Sequence, residues 1–297
     1  MFHLYNSRNF YTIIFSIVCS DYEKNMYINY YSVLKIKMGK YNIYVTEISG
    51  LIGRNKYQSC EDIWLRLWKR HHRRDYQETL KKFRQNRDKS DKIKKDIESN
   101  RTVMRFIQTA VRKADSESTE KTLNLVDKIL QPKGTLTRQR IKYHNEVMNE
   151  VRSKIYRQIG TSKEDAGLKL FAKRKYHTIE KGNTETFTAS YDDFTIRGKI
   201  DGFDRVNNRV IEHKQRQKRL FNGIPDYEKV QLMAYMFMTG ATSSTLVQTH
   251  KSYQREQDFE WDEEEWNNIE NNLKESIFNF KKAITGANKL RLIKSAI

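Results

Sequence analysis

The sequence predicts an α/β fold in which a mixed sheet is flanked by helices, with a helical elaboration on the N-terminal side. Three observations carry this. Residues 73–155 read as charged helical patterns with few breakers, the texture turns strand-like from Thr184, and a short loop then leads into the helical run Asp226 to Met238. Strands alternating with helical segments of this length belong to α/β architectures rather than to an all-β chain.

Taken in order, residues 1–38 show no sustained period and read as a poorly specified leader, with Met38 opening a more orderly stretch; the domain is expected over 39–297. Tyr41 to Val45 suits a short strand. Thr46 then reads as a helix N-cap, with Glu47 in the first turn, Ile48, Leu51 and Ile52 on one face, and Gly53 as the stop. A second helix is expected from Cys60 to His72, with Trp64 and Trp68 at i, i+4. The run Leu80 to Ser99 is so charged that it predicts a solvated helix or a DNA-facing arm. Pro132-Lys133-Gly134 divides two helical stretches, and helices are expected over Thr135–Tyr156 and, after Gly160, over Thr161–Tyr176. Strands follow at 186–189, at Phe194 to Phe203 and at Arg209 to Gln215, with Asn207-Asn208 as a two-residue hairpin turn. A strand at Thr245 to Thr249 and an amphipathic helix over 261–284 complete the series, placing a catalytic core at about 156–252.

Charge narrows the function. Lys and Arg outnumber Asp and Glu by 56 to 37, a formal net charge of +19. Such an excess favours a polyanionic partner through phosphate contacts and counterion release. Cys19 and Cys60 offer neither metal-ligand spacing nor a disulfide framework, so an intracellular protein is expected. Tyr11 to Val18 faintly resembles a signal peptide, and no apolar run approaches the roughly eighteen residues of a membrane span. The abundance of Lys, Asn, Ile and Tyr is compatible with an AT-rich genome.

The stretch Phe194 to Arg216 carries the chemistry. Glu212 and Lys214 are two apart on a strand and emerge on one face, while Asp201 lies across the hairpin from Glu212. Two carboxylates beside a lysine make a hard, oxygen-rich site of the kind that Mg²⁺ or Mn²⁺ prefers. Lys214 is placed to position or deprotonate an attacking water and to offset charge on the phosphate. An acid-x-Lys pair on a strand is more often a solvated salt bridge. Here Ile200, Val210 and Ile211 frame the charges with apolar residues, and a charge cluster in such a frame usually has a partner or an ion. Gly198 and Gly202 bracket Asp201 and are expected to leave room for metal and phosphate. His177 and His250 read as surface or structural histidines rather than ligands.

Asp201, Glu212-His213-Lys214 and Gln231-Leu232-Met233-Ala234-Tyr235 together resemble the Asp, Glu-x-Lys and Gln-x-x-x-Tyr series of the PD-(D/E)XK nuclease superfamily. Arg157 to Glu164 resembles the Gly-Thr-x-x-Glu helix start of its lambda-exonuclease and YqaJ-type viral recombinase branch. Thr46 to Tyr57 resembles that branch's N-terminal helix–Gly–basic–Tyr segment. The resemblance spans about residues 45–250 and departs from the pattern in His213 and in the length of 73–155.

It implies a restriction-endonuclease-like fold in which Asp201, Glu212, Glu164 and the His213 carbonyl hold Mg²⁺ or Mn²⁺. Lys214 then activates water, while Gln231 and Tyr235 steady the lysine and contact phosphate. Ser49, Arg54, Lys56 and Arg157 are the implied DNA contacts. The implied activity is exonucleolytic digestion from duplex DNA ends in viral or phage recombination or replication, in the host cytoplasm or nucleus if the chain is viral. A single-strand annealing protein and a homo-oligomer, toroidal in the lambda-like case, are the implied partners, and no membrane is. Two other readings fit the residues: a structure-specific or single-strand endonuclease of the same fold, and a non-catalytic basic DNA-binding protein.

Overall fold

The computed structural model describes residues 41–82, 89–113, 115–132, 137–175, 179–181 and 185–295. The expected leader over 1–38 and His177 lie outside these residues, as does most of the Pro132–Gly134 break.

β1 (Tyr41–Tyr44) runs straight into α1 (Val45–Leu51). Thr46 is not the N-cap; the helix starts one residue earlier, and the Tyr44 N–H donates to the Glu47 carboxylate at 3.0 Å. Glu47 wins because Arg70 also donates to both of its oxygens at 2.7 and 3.0 Å, which holds a buried carboxylate in place. Gly53 closes the turn at φ +73°, a conformation open to glycine at little cost. α2 (Cys60–His71) and α3 (Arg73–Lys82) then pack together, with Ile63, Leu67 and Trp68 fully buried.

α4 (Lys89–Ser99), α5 (Arg101–Lys113), α6 (Ser116–Leu130) and the first half of α7 (Arg138–Lys175) form a helical bundle with its own core. Ile97, Val103, Ile107, Ala110, Val126, Val151, Ile155 and Ile159 are its fully buried members. Two sequence expectations are decided here. Of the charged run Leu80 to Ser99, the part in α4 is the largely solvated helix rather than the arm, because Ile93 and Ile97, at i, i+4, dock it into the bundle. Gly160 does not break the helix: α7 is continuous over 38 residues. Glycine costs a helix about 1 kcal/mol relative to alanine. That is small against the burial of Ile155 and Ile159 in the bundle before it and of Leu168 and Phe171 after it.

The second half of α7 covers a five-stranded sheet of order β2-β5-β6-β7-β8. Its strands are β2 (Glu180–Lys181), β5 (Gly202–Asp204), β6 (Arg209–Gln215), β7 (Ser243–His250) and β8 (Tyr253–Glu260). β6 and β7 are parallel and the other pairs antiparallel, so the sheet is mixed. A second sheet of order β1-β4-β3 adds β3 (Phe187–Ser190) and β4 (Phe194–Gly198). α8 (Asp226–Thr239) lies between the parallel strands in sequence, as a crossover helix should. α9 (Glu263–Ala283) and α10 (Asn288–Ser295) complete the described chain.

The expected strand Phe194–Phe203 is in fact two. The chain leaves one sheet after Gly198 and enters the other at Gly202, so Asp201 stands at the crossing. The hairpin turn is also longer than two residues. Asp204 pairs with Arg209, and Asp204 accepts from the Val206 and Asn207 N–H groups, which stabilises a four-residue loop ending in Asn208 at φ 45°.

Gly167 decides how closely α7 approaches the sheet. A Cβ there would sit 2.0 Å from the His213 ring. Gly167→Ala is expected to lower stability by about 1–3 kcal/mol, an overpacking cost, in denaturant unfolding. Adding His213→Ala should recover much of that loss, and a double variant as unstable as the sum of the two single changes would refute this lock.

Candidate active site

β6 presents Glu212 and Lys214 on one face, with Arg216 following in the same sense, and that face lies under α8. On α8, Glu228, Gln231 and Tyr235 recur at i, i+3 and i+7 and point back at it. Three hydrogen bonds tie the two elements, and a fourth lies within α8. Arg216 donates to both oxygens of Glu228 at 2.8 and 2.6 Å, Gln231 Nε2 donates to Glu212 Oε1 at 2.7 Å, and Gln231 Nε2 also reaches the Tyr235 hydroxyl at 3.3 Å. Lys214 Nζ donates to the same Glu212 oxygen at 2.5 Å. Asp201 is opposite Glu212 across the β5–β6 pair, and its Oδ2 accepts the His213 N–H at 2.8 Å.

Glu212 is buried and its second oxygen, Oε2, has no hydrogen-bond partner among the described residues. Buried carboxylate oxygens rarely go unpaired. Burial and the neighbouring Glu212 push the Asp201 carboxyl from its ordinary 3.8 up to about 9, with Glu164 adding to the effect. Glu212 is raised as well, first by burial and then by Glu164 and Glu228, against the pull of Lys214. Burial opposes the Lys214 charge, but Glu212 and Asp201 outweigh it and hold the ammonium above its usual range. His213 is pushed down to about 4 by burial, Lys214 and Arg216, so its ring is neutral; Nε2 meets the Thr249 hydroxyl at 3.0 Å. Tyr235 is raised by burial and by Glu212, which keeps it a neutral hydroxyl.

These properties fit a divalent cation. Two neighbouring acids repelling each other, one part-buried and one buried with an orphaned oxygen, are what a dication would neutralise. Asp201, Glu212 and the His213 carbonyl are the donors available. Glu164, half-buried on α7, is close enough for its charge to act on Asp201, Glu212 and Tyr235. Among the described residues no group of three or more His, Cys, Asp or Glu side chains is gathered at ligand spacing, so Glu164 flanks the pair rather than completing it.

The other sequence candidates are more scattered. Ser49 is buried on α1 and faces Asn55 across 3.5 Å; Arg54 is paired through both Nη atoms with Glu265. Lys56 sits 5.2 Å from the Tyr57 ring centroid at the surface, and Arg157 is exposed, bonded to Glu150 at 2.8 Å. Gly198 and Gly202 have a different purpose from the one expected. A Cβ at Gly198 would meet Val45 and Tyr235 at 2.7 and 2.8 Å, and one at Gly202 would meet Ile179 at 2.6 Å. They admit protein side chains, not metal and phosphate. His250 Nδ1 is bound to the Arg216 carbonyl at 3.2 Å, a structural contact as expected.

Sequence reading missed the buried Arg216–Glu228 pair and Gln248, which accepts from Arg216 Nε at 2.7 Å and from the Phe221 N–H at 3.1 Å. A signal existed: Arg216 is two beyond Lys214, and Glu228 is three before Gln231.

A model of the PD-(D/E)XK nuclease superfamily matches residues 101–284. The chain belongs to the PD-(D/E)XK nuclease superfamily. That makes it a nuclease by family, and the mixed α/β architecture is the restriction-endonuclease-like one. Among solved structures it is similar to a phage-related exonuclease from Haemophilus somnus 129PT, at 14% identity over 43% of this chain and 72% of that one, with a TM-score of 0.36. It is also similar to an alkaline exonuclease from Laribacter hongkongensis, at 13% identity over 51% and 84%, with a TM-score of 0.37. No curated protein matches the chain.

The Asp201 shift sets a pH dependence for the metal-free protein. The unfolded chain loses this proton near pH 4 and the folded one near pH 9, so the folded state holds the extra proton between. Stability should therefore fall as pH rises across that window. Denaturant unfolding at pH 5, 7 and 9 is expected to show a shallower decline for Asp201→Asn, and identical slopes for variant and parent would contradict the shift.

Proposed function

We propose that the chain hydrolyses DNA phosphodiester bonds with Mg²⁺ or Mn²⁺, working as an exonuclease from duplex ends. The observation that carries the hydrolytic reading is the orphaned Glu212 Oε2 beside a second, part-buried carboxylate and a protonated lysine.

Asp201, Glu212 and the His213 carbonyl would hold the ion, with Glu164 at its flank. When bound, the ion would supply Lewis-acid polarisation of the phosphate and activation of water. Lys214 and Gln231 both occupy Glu212 Oε1, which fixes the carboxylate rotamer and leaves Oε2 for the ion. Lys214, held as an ammonium, orients the attacking water and offsets charge developing on the phosphate. The neutral Tyr235 hydroxyl is a donor for a phosphate oxygen. Arg216 and Glu228 neutralise each other beneath the site and brace β6 against α8. The hydrophobic frame excludes bulk water, strengthening each of these interactions.

The exonuclease mode, and a setting in viral or phage recombination or replication, rest on the resemblance of the Arg157–Glu164 segment and of Thr46–Tyr57. Digestion from duplex ends leaves a single strand, the form an annealing protein takes up, and that protein is the partner this reading expects. A ring-shaped homo-oligomer belongs to the same reading.

Lys214→Ala and Asp201→Ala are each expected to cut the cleavage rate by about three orders of magnitude or more, the loss of a principal electrostatic contributor, while salt-sensitive DNA binding persists. Wild-type cleavage by either variant overturns the site. With Mg²⁺ present, linear duplex should be degraded and a covalently closed circle left intact; nicking of the circle overturns the exonuclease mode, and a chelator should stop all cleavage.

A further inference from the structure

The helical bundle contributes no residue to the catalytic face except through α7, yet one of its surfaces is strongly patterned. On α5, Val103, Ile107 and Ala110 are buried in the bundle. On the opposite side Arg101, Arg105, Gln108 and Arg112 fall at i, i+4, i+7 and i+11, an arc of about 60° at 100° per residue, and all four are exposed. The helix contains no Asp or Glu. The guanidinium groups of Arg101, Arg105 and Arg112 have no hydrogen-bond or ion-pair partner among the described residues. A row of like charges at this spacing works against the helix that carries it, so it is not explained by stability.

The row ends at a groove. Gln108, Val111 and Arg112 of α5, with Arg157, Gln158, Thr161 and Ser162 of α7, line an open trough of about 520 Å³. Arg157, Thr161 and Glu164 share one stripe of α7, so the trough leads to Glu164 in about 10 Å of helix rise. Arg157 is 61% exposed and its bond to Glu150 is a surface pair, readily exchanged for a phosphate. Above an apolar floor of Val111 and aliphatic stems, the lining offers guanidinium, amide and hydroxyl groups but no aromatic ring. Such a set contacts phosphate and sugar oxygens and provides no stacking platform for bases.

The geometry points to a track for one unpaired DNA strand, bound by its backbone, running along the α5 arginine row into the α5–α7 groove and so to the catalytic face. The row is one residue wide, which suits one backbone rather than the two of a duplex. The choice of DNA as occupant rests on the nuclease reading above, but the track can be tested without catalysis.

Binding of a labelled single-stranded oligodeoxynucleotide, and of a blunt duplex of the same sequence, is measured by anisotropy across a salt series with chelator present. For the full chain carrying Arg101→Gln, Arg105→Gln and Arg112→Gln together, the slope of log affinity against log salt on single strand should shrink by about 2, at about 0.7 per phosphate contact. The slope on duplex should stay at the wild-type value. The corresponding triple Lys variant should retain the wild-type slope on both, and each single Gln variant should lose about 0.7 on single strand, which keeps the test intact if the triple variant folds poorly. An unchanged single-strand slope, an equal loss on duplex, or an equal loss in the Lys variant each overturns the track. Wild-type protein that binds as expected but fails to cleave with Mg²⁺ would instead count against the nuclease reading.

Discussion

Asp201 and Glu212 are two carboxylates held side by side in an apolar frame, and the half of the molecule that contains the candidate site is organised around that unfavourable pairing. Ile200 and Val210 are fully buried beside them and Ile211 behind, so water screens the repulsion poorly. Without an ion the frame compensates by protonation, which is why the Asp201 carboxyl rises to about 9. Lys214 and Gln231 compensate one oxygen of Glu212 and leave the other orphaned. Such a centre is poised to exchange protons for a dication.

The scaffold follows from keeping that pair fixed. A β6 face of Glu212, Lys214 and Arg216 meets an α8 face of Glu228, Gln231 and Tyr235, so acids, bases and amides alternate across the interface. The Arg216–Glu228 pair is bidentate and nearly dry, and breaking one member of such a pair typically costs about 3–5 kcal/mol. Behind β6, His213 is seated against Gly167 of α7, which fixes the helix that carries Glu164. One side of the strand thus holds the chemistry and the other sets the position of its flanking carboxylate. Because α7 continues without a break into the bundle, an α-helical rod connects that carboxylate to a basic surface that the site itself does not contain.

Much of this was legible in the sequence because it is local. Period-two alternation placed Glu212 and Lys214 on one face, i, i+4 spacing placed Gln231 and Tyr235 together, and the apolar neighbours of Asp201 distinguished its charge cluster from a surface hairpin. The errors have a common origin. Gly160 read as a break, and the 80–99 run was left open between a solvated helix and an arm, because local propensity and charge outweigh a few well-spaced isoleucines when tertiary burial is unknown. Gly198 and Gly202 read as space for substrate, since a sequence shows that room is required without showing what fills it.

The sequence alone determined the mixed α/β class, the net charge of +19 and the superfamily motif that runs through Asp201, Glu212 and Lys214, because each depends on residue type and short-range spacing. Only the tertiary structure decided that Asp201 stands where the chain crosses between sheets, that Glu212 keeps one oxygen unpaired and that Arg216 is neutralised by Glu228. It also decided that the α5 arginines converge with Arg157 on one groove. Each of these depends on which distant surfaces burial brings together, and burial is a property of the packed chain rather than of any segment of it.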